Sequence, residues 1–377
     1  MIGAIQHQID DDDIAAVVEV LRSSCLTGGL RLERLEADFS RYMQGMHCVA
    51  LSSGTAALHT AMAALGVGPG DEVIVPALSF VATAACIVYR GATPVFADVD
   101  GTRLTMDPDS VAALINPNTK AIITVDYAGH ASEYHRLRDL ADRAGVALVA
   151  DVCHGLGGRW RELPSGCMAD IAVFSFHPVK AITGGEGGML STHDGALARR
   201  ALRFRHAGAD RQAADRRSQN GFAYDIKELG QNYRLNEMQC ALIVSQLKKL
   251  TGWISRRRDI AAAYRHALYD FAPLQLPGEA DNVAHAWHFF PIRTDGRRNT
   301  MLRELHRRGI AANVHYVPIH LFSFFREHYA TGPGLCPVTE SVAEQLISLP
   351  VFAAMTDQQV QYVNEAVIDS VHSVYAL

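Results

Sequence analysis

Short apolar runs rich in β-branched residues recur through the first half of the chain, and stretches with helical spacing lie between them. Cys48–Leu51, Glu72–Val75, Pro94–Ala97, Ala121–Val125, Ala147–Ala150 and Ile171–Phe176 predict strands. Gly54–Leu65 and Val81–Tyr89 predict helices, and Gly68-Pro69-Gly70-Asp71 marks a turn between units. Strands and helices alternating in this way imply an α/β fold, with a mainly parallel central sheet flanked by helices. Ligands of such sheets gather beyond the carboxyl ends of the strands.

The flanking regions follow other patterns. Ile14, Val17, Val18 and Leu21 recur at helical spacing behind the acidic run Asp10–Asp13. They predict an amphipathic helix with carboxylates at its positive N-terminal end. A helical stretch from about Asn236 to Leu268 predicts a bridge into a smaller α+β part. That part should hold strands at His288–Arg293 and Ala311–Tyr316 and helices at Met301–Arg308 and Ser341–Ile347. The expected division is a large domain over residues 1–250 and a small C-terminal domain over residues 251–377.

With 49% hydrophobic and 20% charged residues, 377 positions supply ample material for such cores. The net charge of -5 and the short basic clusters Arg256–Arg258 and Arg297-Arg298, with no interleaved aromatics, argue against nucleic-acid binding. No run approaches the roughly 20 apolar residues that span a bilayer, and the first residues lack the apolar core of a signal peptide. Seven cysteines without a C-x-x-C pair read as reduced thiols. A cytoplasmic protein without membrane partners is expected.

Four segments near predicted strand ends carry candidate chemistry. Ser52-Ser53-Gly54-Thr55-Ala56-Ala57 opens a helix with small residues, which suits anion binding and equally suits a plain cap. Asp151 follows a buried strand, as a loop cap or as a carboxylate for a protonated ring nitrogen. Lys180 ends the run Phe174-Ser175-Phe176-His177-Pro178-Val179-Lys180 ahead of the glycine-rich turn Gly184–Gly188. A desolvated lysine there has a lowered pKa and forms Schiff bases readily, whereas an exposed one is an ordinary loop residue. The segment Asp225–Gln239 holds Asn232 and Arg234, which could reach a phosphate or simply enter the next helix.

Taken in order and spacing, these segments resemble the DegT-type sugar aminotransferases, a branch of the fold-type I pyridoxal phosphate (PLP) enzymes. The likeness extends from Ser24-Cys25-Leu26-Thr27-Gly28-Gly29 to Ser348-Leu349-Pro350 and Met355-Thr356. It implies that Lys180 is the Schiff-base lysine and Asp151 the acid that keeps the pyridine nitrogen protonated. It further implies that Gly54, Thr55 and Ser175 cradle the phosphate. Phe80 would stack on the ring and His154 would meet its phenolic oxygen. Asn232 would reach the cofactor of a partner subunit, in a homodimer with shared active sites. Arg234, His315, Tyr316 and His320 would line the sugar site. The implied partners are L-glutamate and a nucleotide-linked keto sugar, aminated at C4 of a 4-keto-6-deoxy ring as in enzymes leading to pseudaminic acid. A keto-inositol or a C3-keto sugar is the alternative acceptor.

The sequence departs from the usual Glu-Asp-Ala-Ala run of that family, reading Ala150-Asp151-Val152-Cys153, so Cys153 should lie beneath the ring as a small filler. His315 and His320 have no cysteine or acid at ligand spacing, and no metal site is expected. Lys180 argues against the related sugar dehydratases, where histidine takes its place. No G-x-G-x-x-G follows a strand, which argues against a nucleotide-binding oxidoreductase. A regulatory protein that keeps the fold without catalysis would not be expected to retain Lys180, Asp151 and Ser175 together.

Overall fold

The computed structural model describes residues 1–209, 225–226, 228–269 and 271–376; Lys227 of the segment 225–239 lies outside them. The central sheet has seven strands: β1 (His47–Leu51), β2 (Glu72–Pro76), β3 (Thr93–Ala97), β4 (Thr119–Val125), β5 (Ala147–Asp151), β8 (Ile171–Ser175) and β9 (Gly188–Thr192). Between β5 and β8 lies a small hairpin of β6 (Arg159–Trp160) and β7 (Leu163–Pro164). The sheet order is β1-β9-β8-β5-β4-β2-β3. From β3 across to β8 every pairing is parallel, while β9 runs antiparallel to both β8 and β1. Every residue of β8 and β9 is buried, as strands covered on both faces require.

Two apolar clusters sandwich this sheet. One includes Phe39, Phe174, Phe176 and Tyr134; the other gathers the helix Gly54–Ala64 with Val73, Val75 and Val173. A third core holds Ile2 with Tyr264, Phe290, Ile347 and Val367. It surrounds a three-stranded antiparallel sheet, β10-β12-β13, made of β10 (Leu274–Gln275), β12 (Phe290–Thr294) and β13 (Leu346–Leu349). A short strand, β11 (Val283–Ala284), pairs back onto β6.

Several expectations need correction. The stretch from Asn236 to Leu268 is two helices, Glu237–Leu247 and Leu250–Leu268. They part at Lys248-Lys249, where the Lys249 amine binds the carboxylates of Asp10 and Asp13. Residues 311–316 are not a strand. Asn313 alone pairs, with Ser348, and the chain then leaves the sheet edge. Ser341–Ile347 divides into the end of the helix Pro337–Ala343 and the start of β13. The first helix, Asp11–Leu21, is capped by its acids as expected, with Asp10 and Asp13 forming a reciprocal box. Its buried residues are Asp13 and Val20, however, and Ile14 and Leu21 are more than half exposed. Among the described residues no helix is long and apolar enough to cross a membrane.

Candidate active site

The central strand β5 ends in Asp151 and its neighbour β8 ends in Ser175, while the helix Gly54–Ala64 starts against both. The approach is close enough that only glycine fits at its first position. A Cβ on Gly54 would lie 2.9 Å from the Ser175 Cβ and 3.2 Å from the Cys153 sulfur. The Ser53 hydroxyl takes the Ala56 N–H and the Ser53 carbonyl takes that of Ala57. The N–H groups of Gly54 and Thr55 find no acceptor among the described residues. Free donors at a helix N-terminus are suited to an anion.

Lys180 lines the same cavity, which measures about 740 Å³. Its loop is closed by backbone bonds from Phe176 to Gly187 and from Gly184 to Phe176, and by the Thr183 hydroxyl on the Phe176 carbonyl. Gly187, at φ +146°, lets that loop re-enter the sheet as β9. Burial lowers the Lys180 amine below the usual lysine range, although Cys153 and Asp151 oppose the shift. Among the described residues no other lysine or arginine lines the cavity.

Asp151 is 5% exposed. Its Oδ2 accepts from the Thr83 hydroxyl at 2.9 Å and its Oδ1 from the Cys153 N–H at 3.1 Å. The Cys153 thiol is pushed far up by burial and then by Asp151, so it stays protonated. His154 is held well below the usual histidine range by burial, then by Lys180 and His315. Its Nε2 lies 3.0 Å from the Tyr316 hydroxyl, its ring stacks on His288 at 4.4 Å, and its buried Nδ1 has no partner among the described residues. His315 is pushed down to about 4 by burial and then by Lys180, and stacks on Phe289 at 4.5 Å. The histidines on this wall are therefore neutral rings at physiological pH. Phe80, 54% exposed, stands at the mouth, 6.2 Å from the Tyr316 ring.

Gly54, Thr55, Phe80, Asp151, His154, Ser175, Lys180, His315 and Tyr316 thus share one cavity. His320 and Arg234, expected in the sugar site, do not line it, and Asn232, expected at the cofactor of a partner subunit, lies outside its own chain's cavity. His320 is fully buried on the Glu340 carboxylate, at 3.0 Å, and against Phe96, so it has no surface to offer a substrate. Arg234 is exposed and bonded to the His206 ring, and Asn232 is exposed on the backbone bridge to His206. Sequence reasoning missed Thr83, Ser79 and His288. His288 was legible as a polar residue at the start of an apolar strand. Thr83 was a lone hydroxyl in an apolar helix, a signal too common to single out. Among the described residues no group of three or more His, Cys, Asp or Glu side chains is placed to hold a metal ion.

The geometry offers an anion cradle, a carboxylate and a desolvated amine facing one space, with a buried imidazole nitrogen awaiting a partner. Residues 7–368 match the model of the DegT/DnrJ/EryC1/StrS aminotransferase family. Among solved structures, the chain is similar to a putative sugar aminotransferase, Spr1654 from Streptococcus pneumoniae, in its PMP form. The identity is 29%, 98% of each chain is covered, and the TM-score is 0.93. It is also similar to Helicobacter pylori PseC, an aminotransferase involved in the biosynthesis of pseudaminic acid (32% identity, 98% of each chain, TM-score 0.91). A third similar structure is the aminotransferase TlmJ from Streptoalloteichus hindustanus (31% identity, 100% of each chain, TM-score 0.93).

Proposed function

The chain belongs to the DegT/DnrJ/EryC1/StrS aminotransferase family, and from that premise we propose that it moves an amino group from L-glutamate to C4 of a nucleotide-linked 4-keto-6-deoxy sugar. It is a PLP-dependent aminotransferase. The residues present fit that cofactor. The free N–H groups of Gly54 and Thr55, with the Ser175 hydroxyl, would hold its phosphate. Asp151 would hold the ring nitrogen in its protonated state, and the unpartnered Nδ1 of His154 suits a polar group on the ring. Phe80 would cover one face. When bound, PLP supplies an electron-withdrawing ring and a carbonyl carbon that carries the amino group between donor and acceptor.

The observation that carries this reading is the desolvated amine of Lys180 in the cavity that Asp151 also lines. Lowered basicity leaves more of the amine unprotonated at neutral pH. Its Nζ can therefore act as the base at Cα of the donor in the first half-reaction and as the acid at C4 of the sugar in the second. Cys153, His154 and His315 stay neutral beside it.

The sugar would lie along His315 and Tyr316. A diphosphate needs cations that this wall does not supply, and the remote nucleotide would contribute binding energy that orients C4. Asn232 and Arg234, exposed outside their own chain's cavity, are available to the site of a partner subunit in a homodimer. Similarity to PseC, an aminotransferase involved in the biosynthesis of pseudaminic acid, supports a sugar as the acceptor. The test supplies glutamate with UDP-4-keto-6-deoxy-N-acetylhexosamines, dTDP-4-keto-6-deoxyglucose or a keto-inositol at equal concentration, with products identified by mass spectrometry. The nucleotide sugars should react and the free keto sugars should lose most of the turnover. Preference for the keto-inositol, or equal rates without the nucleotide, would overturn the substrate reading.

A further inference from the structure

A buried threonine in a helix commonly bonds back to the carbonyl four residues earlier. Thr60 does so here with Ala56, and Ser370 does so with Ala366. Thr83 does not. Its helix, Ala82–Val88, is otherwise apolar, and the residue itself is fully buried. The hydroxyl instead reaches Asp151 Oδ2, 68 positions along the chain, at 2.9 Å, and lies 2.8 Å from the Ser79 hydroxyl. Ser79 is 2% exposed and lines the cavity.

The direction of this chain of bonds follows from donor counting. An ionised carboxylate only accepts, so the single Thr83 proton goes to Asp151. The Thr83 oxygen then accepts, and Ser79 donates to it. With the Cys153 N–H on Oδ1, each carboxylate oxygen receives one donor from the protein. That fixes the plane of the carboxylate, while each oxygen keeps a lone pair free.

We infer that Thr83, oriented by Ser79, is a positioning residue that sets Asp151 for the ring nitrogen of the cofactor. The inference rests on the proposed PLP reading of Asp151 and adds the groups that act through it. Thr83→Val keeps the shape and removes the donor, Thr83→Ser keeps the donor, and Ser79→Ala removes only the orienting bond.

The test measures PLP dissociation constants of each apo-protein by equilibrium dialysis at neutral pH. Borohydride reduction and peptide mapping of the PLP-loaded proteins run alongside. Thr83→Val should bind PLP roughly tenfold to a hundredfold more weakly, the loss expected for a hydrogen bond to a charged group. Thr83→Ser should restore the affinity, and Ser79→Ala should weaken binding in the same direction by less.

Wild-type affinity in Thr83→Val, with the label still on Lys180, would overturn the inference and leave the PLP reading standing. Failure of Thr83→Ser to restore the affinity would also overturn it, by assigning the effect to packing. Should Thr83→Val not fold, wild-type affinity in Ser79→Ala overturns it. Absence of label on wild-type Lys180 would remove the PLP reading and the inference together.

Discussion

Replacing Gly188 with alanine strikes the anion cradle from behind. The added methyl would sit 2.2 Å from the Ser53 carbonyl oxygen, 2.5 Å from its carbon and 2.8 Å from the Gly54 nitrogen. All three are backbone atoms, so no side chain can swing aside. Gly188 itself is pinned in β9, paired with Leu51 on one side and Ser175 on the other. Ordinary carbon contacts sit at about 3.5–4.0 Å, so strand and turn must separate by roughly 1 Å or more. Overpacking of this kind costs about 1–3 kcal/mol, and the upper end is expected because backbone has to move. The displaced turn carries the free N–H groups of Gly54 and Thr55. A shift near 1 Å at positioning groups can cost about a hundredfold in rate. Urea unfolding of the apo-protein should show a lower midpoint with an unchanged slope. PLP dialysis should show weakened binding. A Gly188→Ala protein that unfolds at the wild-type midpoint and binds PLP normally would refute the close-approach argument.

Two further substitutions test the surroundings. Gly252 lies near the start of the helix Leu250–Leu268, and a Cβ there meets nothing within 4 Å. Gly252→Ala should therefore stabilise the chain by about 0.5–1 kcal/mol in urea unfolding, and a destabilised variant would contradict the open-space reading. Asp126 is fully buried, and burial pushes its carboxyl from 3.8 up to about 6, although Ser132 and Tyr134 donate to it. A carboxyl raised in the folded state holds its proton more tightly there. Its contribution to stability is present below the unfolded value and lost as pH rises through about 6. Asp126→Asn removes that slope, so it should gain on the wild type by about 3 kcal/mol between pH values near 3 and 7. A difference in unfolding free energy that stays flat with pH would show that Asp126 does not titrate in this way.

The parts of the site that were legible in the sequence are those where a charged residue interrupts a buried pattern. Asp151 and Lys180 each follow an apolar strand, and a small-residue turn opens the helix at Gly54. Local pattern could place them because their chemistry conflicts with their neighbourhood. It could not see β9, whose five residues follow the glycine turn without the alternation of a half-exposed strand, since all five are buried. It took residues 311–316 for a strand because a β-rich run does not say where its partner ends. Here β13 offers Asn313 a pairing at Ser348, and the chain then turns His315 and Tyr316 to the cavity. His320 was grouped with Tyr316 by closeness in sequence. The turn at Ile319–Leu321 carries it inward, onto Glu340. The Thr83–Asp151 bond joins two helix and strand ends far apart in the chain and leaves no periodic trace.

The central claim is that Lys180 is the residue that tethers the cofactor and moves the proton. Its most direct test is borohydride reduction of the PLP-loaded protein followed by peptide mapping, with Lys180→Ala beside it. The account expects a pyridoxyl group on the peptide containing Lys180, and neither label nor transamination in Lys180→Ala. A label on another lysine such as Lys120 or Lys248, or transamination that survives in Lys180→Ala, would contradict it.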